Sequence, residues 1–449
     1  MAAASVDQQD SALVERYRAG SPRSREQFDR DCKSMPGGVK GVYFYPPYPL
    51  TMVRGEGCYL DDADGRRFVD CVSHHTALIL GHNHPAVMDA VHRQLEHGIV
   101  LSAPTGGEMG LAEEICGRVP SIEGLRFCCS GTEATLHAIR LARGFTGRPK
   151  IAKFEGGYHG SHDVVEISVA PPLDRVGPET GPHSVPTAGG ISPHAAEEVV
   201  VLPYDDEESV ERLIADNRDE LACLICDAKT GILETRREFM KGVREITRAH
   251  DVLLIMDEVV GFRLGTGGQQ EYYDITPDLT TYGKVVGGGF PVGAFGGRAD
   301  IMNLLDNTRG PTGFFQSGTF SAHPVALAAG LATLQQLTPA AFARLNGLGE
   351  RLREGLEGLA ERIDTPLQAV VAGSLFGLHF TDEAVATYRG MARADKGMAH
   401  RVFLALLEEG YYLSHWLGFN ALSLAMDESH VDGLVAALDR AIEKAKREG

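Results

Sequence analysis

Val252-Leu253-Leu254-Ile255-Met256-Asp257-Glu258-Val259-Val260 is the stretch whose reading decides the fold. A short apolar run ends on an acid and is flanked by helical sequence, which predicts a buried strand rather than a helix. Similar runs recur at Leu125-Arg126-Phe127-Cys128-Cys129, Lys150-Ile151-Ala152-Lys153-Phe154 and Cys223-Leu224-Ile225-Cys226. Between about residues 105 and 325 they alternate with helical stretches. That pattern predicts an α/β domain: a mostly parallel sheet covered on both faces. Ligands of such sheets bind in the crevice beyond the carboxyl ends of the strands, where Asp257 is expected. A buried carboxylate needs a cationic partner. A protonated ring nitrogen would serve, and capping of the next turn is the competing reading.

Three further stretches carry chemistry. Ser130-Gly131-Thr132-Glu133 follows a strand and opens a helical run. Free N–H groups and the positive helix end make such a turn an anion site, and a plain N-cap is the competing reading. In Tyr282-Gly283-Lys284-Val285-Val286-Gly287-Gly288-Gly289, small neighbours would let a bulky ligand approach the Lys284 amine. A partly desolvated lysine has a lowered pKa and can form a Schiff base, and a lysine in a flexible surface loop is the competing reading. The hydroxyls and glycine of Gln316-Ser317-Gly318-Thr319-Phe320-Ser321 could again hold phosphate, or form an ordinary polar turn.

The rest of the chain supplies context. Residues 21–34 read as a helix with Ser21 and Pro22 as N-cap and first position, stopped by Pro36-Gly37-Gly38. Residues 42–72 read as short strands and hairpins. The Pro- and Gly-rich segment 171–198 reads as a lid or binding loop. Ser429 is the expected N-cap of a C-terminal helix carrying Val431, Leu434, Val435, Leu438 and Ile442. The expected division is an N-terminal segment over 1–72, a large domain over 73–328 and a C-terminal α+β part over 329–449. The first and last would together form a small domain.

Composition limits the alternatives. The chain has 449 residues, 43 Lys and Arg against 61 Asp and Glu, and a net charge of −18. This balance disfavours nucleic acid and anionic membrane as partners. No apolar run is long enough to span a bilayer and no signal-peptide pattern is visible, so the expected location is cytoplasmic. Of the 8 cysteines, Cys223 and Cys226 form a CxxC pair, read as reduced thiols in a buried strand.

Two phosphate-type turns, a crevice carboxylate and a glycine-framed lysine belong together in one chemistry. Pyridoxal phosphate needs a phosphate cradle, a carboxylate on its pyridine nitrogen and a Schiff-base lysine. With these residues the chain resembles the fold-type I, class III aminotransferases, in the branch of glutamate-1-semialdehyde aminomutase and β-amino-acid (β-phenylalanine) aminotransferase. The resemblance runs from about residue 34 to 445. It includes Leu80-Gly81-His82-Asn83-His84-Pro85, Gly156-Gly157-Tyr158-His159-Gly160, Asp257-Glu258-Val259 and Gly293-Ala294-Phe295-Gly296-Gly297-Arg298.

The resemblance implies a role for each matching position. Lys284 would hold the cofactor covalently and move the proton. Asp257 would pair with the pyridine nitrogen. Tyr158 would stack on the ring, with Val259 on its other face and His159 in the same cofactor-binding set. Ser130, Gly131 and Thr132 would bind the phosphate, with Thr319 reaching it from a second subunit. A homodimer with shared active sites is implied, and segment 171–198 corresponds to the branch's active-site loop.

Substrate positions depart from the family pattern. The arginine usual after Pro-Gly-Gly is missing, and Lys40 and Tyr43 stand in that stretch. Ser414-His415-Trp416 stands where an arginine usually precedes Gly-Phe, and Ser73-His74-His75-Thr76 precedes the Leu-Gly-His turn. Lysine or histidine does not replace an arginine fork conservatively. The expectation is an aromatic pocket lined by His74, His75, His415 and Trp416. It would take a β-amino acid or β-keto compound, with its acid held by Lys40 or a histidine, or masked as in a carrier-bound thioester. The usual Glu-Pro is also altered, to Asp227-Ala228-Lys229-Thr230. The expected activity is amino transfer between a small amine donor and a keto acceptor, with a 1,2-aminomutase or epimerase as the alternative. A metal hydrolase built on His159-x-x-His162-Asp163 is disfavoured, because HExxH is absent.

Overall fold

Seven strands form the larger sheet: β1 (Gly124–Cys128), β2 (Lys150–Phe154), β3 (Val199–Leu202), β4 (Leu221–Cys226), β5 (Leu253–Asp257), β6 (Leu279–Gly283) and β7 (Gly293–Gly297). This computed structural model describes residues 11–41 and 44–448, so Tyr43 lies outside the described residues. The spatial order is β1-β7-β6-β5-β4-β2-β3. Only β7 runs antiparallel to its neighbours, β1 and β6. Each parallel step is crossed by intervening helix or loop, as parallel pairing demands.

Burial follows the apolar runs. Every residue of β4, β5 and β6 is buried. Cys223 and Cys226 are fully buried free thiols, and burial pushes Cys223 up to about 12. Helix α1 (Gly131–Thr146) lays Ala134, Ala138, Ile139, Leu141 and Ala142 into the core beside Ile151, Ile225 and Ile255.

Residue contacts divide the chain into two units. One comprises Met1–His84, Arg344–Val385 and Arg393–Gly449; the other comprises Pro85–Ala343 and Ala386–Ala392. The first contains the hairpin strands Met52–Glu56, Tyr59–Asp62 and Arg67–Asp70, the last of which pairs in parallel with Tyr411–Tyr412. It also holds a three-stranded sheet of Gln368–Ala372, Leu375–His379 and Asn420–Ala421.

Two caps differ from the sequence expectation. Ser21 precedes the helix Pro22–Asp31, but its hydroxyl donates to the Tyr17 carbonyl at 2.5 Å instead of capping. The C-terminal helix Glu428–Arg447 is capped by Asp427, not Ser429. The Asp427 carboxylate accepts from the Ser429 and His430 N–H groups at 3.0 and 3.3 Å. A carboxylate at N-cap also meets the helix dipole favourably. Among the described residues no single helix is long and apolar enough to cross a membrane.

Candidate active site

Asp257 ends β5 and is 4 % exposed. One carboxylate oxygen accepts from the Val259 N–H and the Thr281 hydroxyl, both at 3.1 Å. The other lies 2.8 Å from His159 Nδ1. Asp257 thus caps the Glu258–Gly261 turn, as the competing sequence reading has it, while its other oxygen faces His159. Three donors leave a carboxylate with lone-pair capacity for one more. His159 itself is held by its backbone, whose carbonyl accepts from the Thr135 hydroxyl at 2.7 Å. Among the described residues its Nε2 is buried without a partner.

Glu258 plays a different part from its neighbour. It is fully buried and accepts from the Gln269 and Gln270 N–H groups, both at 2.9 Å. Burial pushes its carboxyl up to about 8, against those hydrogen bonds. It pins the 268–270 turn, and the Gln269 side-chain amide in turn donates to the Asp257 carbonyl at 2.7 Å.

Three chain segments meet at glycines. A Cβ on Gly131 would come within 2.9 Å of Val259 Cγ2, and one on Gly283 within 3.3 Å of Val259 Cγ1 and 3.5 Å of the Gly131 Cα. The anion turn, the turn after Asp257 and the residue before Lys284 are thus in contact. Ser130 caps α1 by accepting from the Glu133 N–H at 3.1 Å. The N–H groups of Gly131 and Thr132 have no carbonyl four residues back to bind. Gly160 closes on Thr132, where a Cβ would sit 2.6 Å from its hydroxyl.

Lys284 leaves β6 in the left-handed region, with φ 50°. Burial pushes its amine below the ordinary lysine value and Lys229 adds to this, while Asp257 and Asp227 oppose it. The following glycines serve packing, contrary to the sequence reading that they admit a ligand. At Gly288 (φ +57°) a Cβ would sit 2.4 Å from the Ala329 carbonyl, and at Gly287 it would sit 2.6 Å from Val292.

The remaining predicted residues are placed as follows. Tyr158 is 50 % exposed on the turn between Gly157 and His159. Thr319 is exposed, and the contacts that join the other residues do not include it. Lys40, His74, His75, His415 and Trp416 all belong to the first unit, whereas Lys284 and its neighbours belong to the second. Ser73 to Thr76 are four successive left-handed residues, φ 48°, 51°, 52° and 75°, each costing about 1–2 kcal/mol. His415 stacks on Tyr45 at 6.0 Å, and burial lowers its proton affinity. Arg54 is exposed with Glu56 at 2.7 Å, and Arg263 is fully buried. His162 is 3.3 Å from the Thr135 hydroxyl, and no metal-binding group of three residues occurs among the described residues.

Sequence reading missed a buried brace beneath this site. Arg389 binds Glu155 through Nε and Nη2 at 2.9 and 3.0 Å. It also donates to the carbonyls of Val176, Gly177 and Pro178 at 3.2, 2.9 and 3.2 Å. The Tyr388 hydroxyl donates to the Pro171 carbonyl at 2.7 Å. The 171–178 stretch is thereby tied to the turn that carries Tyr158. Only the sequential closeness of Glu155 to Tyr158 could have hinted at this.

The donor set fits pyridoxal phosphate. The open end of α1 suits a phosphate, Asp257 a protonated pyridine nitrogen, and a desolvated Lys284 an aldehyde carbon. This fold and site define a pyridoxal-phosphate enzyme. A match to the aminotransferase class-III family spans residues 44–430, and the chain belongs to that family.

Its relatives include curated glutamate-1-semialdehyde 2,1-aminomutases. That of Methanothermobacter thermautotrophicus is 38 % identical over 431 residues, covering 94 % of this chain and 100 % of the relative. That of Laribacter hongkongensis is 39 % identical, covering 93 % and 99 %. Among solved structures, an omega-transaminase from Sphaerobacter thermophilus aligns with TM-score 0.90 at 40 % identity, covering 96 % of this chain and 99 % of that one. A β-phenylalanine aminotransferase from Variovorax paradoxus aligns with TM-score 0.87 at 36 % identity, covering 97 % of each. The chain is a pyridoxal-phosphate-dependent enzyme of the class-III aminotransferase type.

Proposed function

We propose that the protein transfers the amino group of a β-amino acid to a keto acceptor. The observation that carries the amino-transfer chemistry is the contact of the Gly131 turn, Val259 and Gly283 beside Lys284 and Asp257. Bound pyridoxal phosphate supplies an aldehyde that accepts the amino group and a ring that holds the released electron pair. Ser130, Gly131 and Thr132 would bind its phosphate, and Tyr158 and Val259 would hold its ring. Asp257, oriented by His159 and Thr281, keeps the pyridine nitrogen protonated. Lys284 has a proton affinity lowered by burial, so its neutral amine can take the proton from the amino-bearing carbon and return it.

The β-amino-acid reading is supported by likeness to the Variovorax β-phenylalanine aminotransferase. It is also supported by the aromatic surroundings of His415, where Tyr45 stacks and Trp416 is 39 % exposed. Lys40, His74, His75, His415 and Trp416 are the proposed substrate-side residues, and a carrier-bound β-keto thioester is the masked form such a pocket would take. Likeness to the curated aminomutases favours a second reading, internal 1,2-transfer.

We also infer a homodimer. Met109, Phe315 and Phe320 of the second unit are 62, 82 and 57 % exposed, apolar surface that a second copy would cover. Thr319 beside Phe320 would then serve the partner's phosphate. The free cysteines suit a reducing compartment, and a cytoplasmic location is proposed on that ground.

Single-turnover spectroscopy separates the readings. A transaminase given β-phenylalanine alone converts one equivalent, loses the cofactor's visible band and recovers it only with a keto acceptor. A mutase given glutamate-1-semialdehyde turns over repeatedly without an acceptor. If neither compound changes the band, both substrate readings fail.

A further inference from the structure

Buried cations of the second unit differ in how fully they are bound. Arg389 has its fork on Glu155 and donates to three carbonyls besides. Lys153, fully buried, donates to the Ile167 carbonyl at 2.5 Å. Lys229 is different. Its side chain is 11 % exposed, yet among the described residues its ammonium has one partner, Asp227 at 3.4 Å. An ammonium carries three donors. Leaving two of them unmatched in a largely buried place costs free energy unless a further anion or water arrives.

The backbone holds Lys229 there under strain. Ala228 and Lys229 are successive left-handed residues, φ 50° and 46°, a conformation that side-chain-bearing residues rarely adopt. The Thr235 hydroxyl fixes the Ala228 carbonyl at 2.6 Å, and the Ile232 and Leu233 N–H groups both fix the Lys229 carbonyl at 2.9 Å. Asp227 is also steadied from elsewhere, by the Tyr204 hydroxyl at 3.1 Å. The carboxylate can therefore share Lys229 with a second anion without being left unpaired.

Topology sets this pair in the crevice. Asp227 follows β4, and the register Cys226↔Met256 and Asp257↔Thr281 sets the ends of β4, β5 and β6 side by side. At about 4.8 Å per strand, the ends of β4 and β6 are about 10 Å apart. Asp227 and Asp257 thus end adjacent strands, and Lys284 follows the next. Lys229 and Asp227 both act electrostatically on the Lys284 amine.

We propose that Lys229 receives the carboxylate of the amino substrate, beside Asp227, and so makes the enzyme prefer amino acids to plain amines. The inference rests on the proposed aminotransferase reading and gives it a cation in the same unit as Lys284. The arginine fork missing from the sequence is replaced by a lysine on a strained turn.

The test uses holoenzyme with Lys229→Met and Lys229→Arg, each checked for cofactor absorbance per protomer. The first readout is the kcat/KM ratio of β-phenylalanine to 1-phenylethylamine, which share the benzylic amine and differ in the acid. Lys229→Met lowers this ratio about tenfold or more, chiefly through KM, as loss of one charge-assisted hydrogen bond predicts. Lys229→Arg restores most of it. The second readout is calorimetric binding of 3-phenylpropionate and of its uncharged amide, which needs no turnover. Lys229→Met weakens the acid about tenfold relative to the amide.

An unchanged ratio overturns the proposal. So does an equal loss on both substrates, since Lys229 would then only balance Asp227. If wild-type enzyme transaminates neither substrate, the aminotransferase reading of this chain fails separately, and the calorimetric comparison still decides the role of Lys229.

Discussion

Replacing Arg389 by methionine strands Glu155. Both partners are nearly buried, with side chains 8 and 5 % exposed. Removing one member of such a pair costs about 3–5 kcal/mol, because the survivor is left as an unpaired buried charge. That penalty makes a local opening about a hundred to a few thousand times more frequent.

The reporters are amides on the tied segments: Gly156 N–H to the Ser168 carbonyl at 2.8 Å, His183 N–H to Val176 at 2.8 Å, and Ser168 N–H to Val185 at 2.7 Å. Hydrogen exchange read by mass spectrometry over residues 155–187 should accelerate about a hundredfold or more in Arg389→Met. The double variant Glu155→Gln/Arg389→Met should be slower than that single variant, because it leaves no buried charge. Exchange in Arg389→Met within threefold of wild type at pH 7 would refute the reasoning.

Asp257→Asn, which loses the charge facing the pyridine nitrogen, should slow the amino-donor half-reaction about a hundred- to a thousandfold by stopped-flow absorbance. Lys153 is held at about 7 by burial, with Lys229 adding to that and Asp227 and Glu155 opposing. The unfolded chain therefore binds a proton between about pH 10.5 and 7 that the native chain does not, so wild-type stability falls as pH drops through that window. Lys153→Met, which lacks the group, should gain on wild type by up to about 5 kcal/mol between pH 10.5 and 7, compared in denaturant melts at both ends. Uptake of pyridoxal phosphate by apoenzyme should rise with pH around a midpoint below that of ordinary lysine. In Lys229→Met this midpoint should move up, because a neighbouring positive charge is gone. Phe315→Asp should shift the protein toward monomer in light scattering; an unchanged mass would remove Phe315 from the proposed dimer face.

What could be read from sequence was local or periodic. The β5 run ends on Asp257 because a buried strand needs uninterrupted apolar residues, and the first polar one marks its end. Ser130-Gly131-Thr132 was legible for the same reason, as a small polar turn between a strand and a helix. Gly287 and Gly288 were misread, because what they fit is Val292 and the backbone of residue 329, which sequence spacing does not disclose. Asp427 outcompeted Ser429 as cap once the chain direction there was set by tertiary packing. Arg389 meets Glu155 across 234 residues, and no periodicity encodes such a meeting. Lys229 stood out only as a departure from Glu-Pro; its half-bound ammonium and strained turn are visible only in three dimensions.

The division of the first unit between the two ends of the chain has a consequence for synthesis. Arg16 meets Glu408 across 392 residues, which at about 5–20 residues per second is roughly 20–80 s of translation. Until then the helix Ala12–Ala19 has Tyr45 and Tyr48 against its Tyr17 but lacks the helix Lys396–Glu408 that also packs on it. The second unit waits nearly as long, since its carboxylate at Glu155 meets no guanidinium until residue 389 emerges. A ribosome paused shortly before that point would hold two unfinished bodies, one with a part-covered helix and one with an uncompensated charge. Both are completed by residues 389 and 408, which emerge close together, so the nascent chain has most need of a chaperone just before that stretch is made.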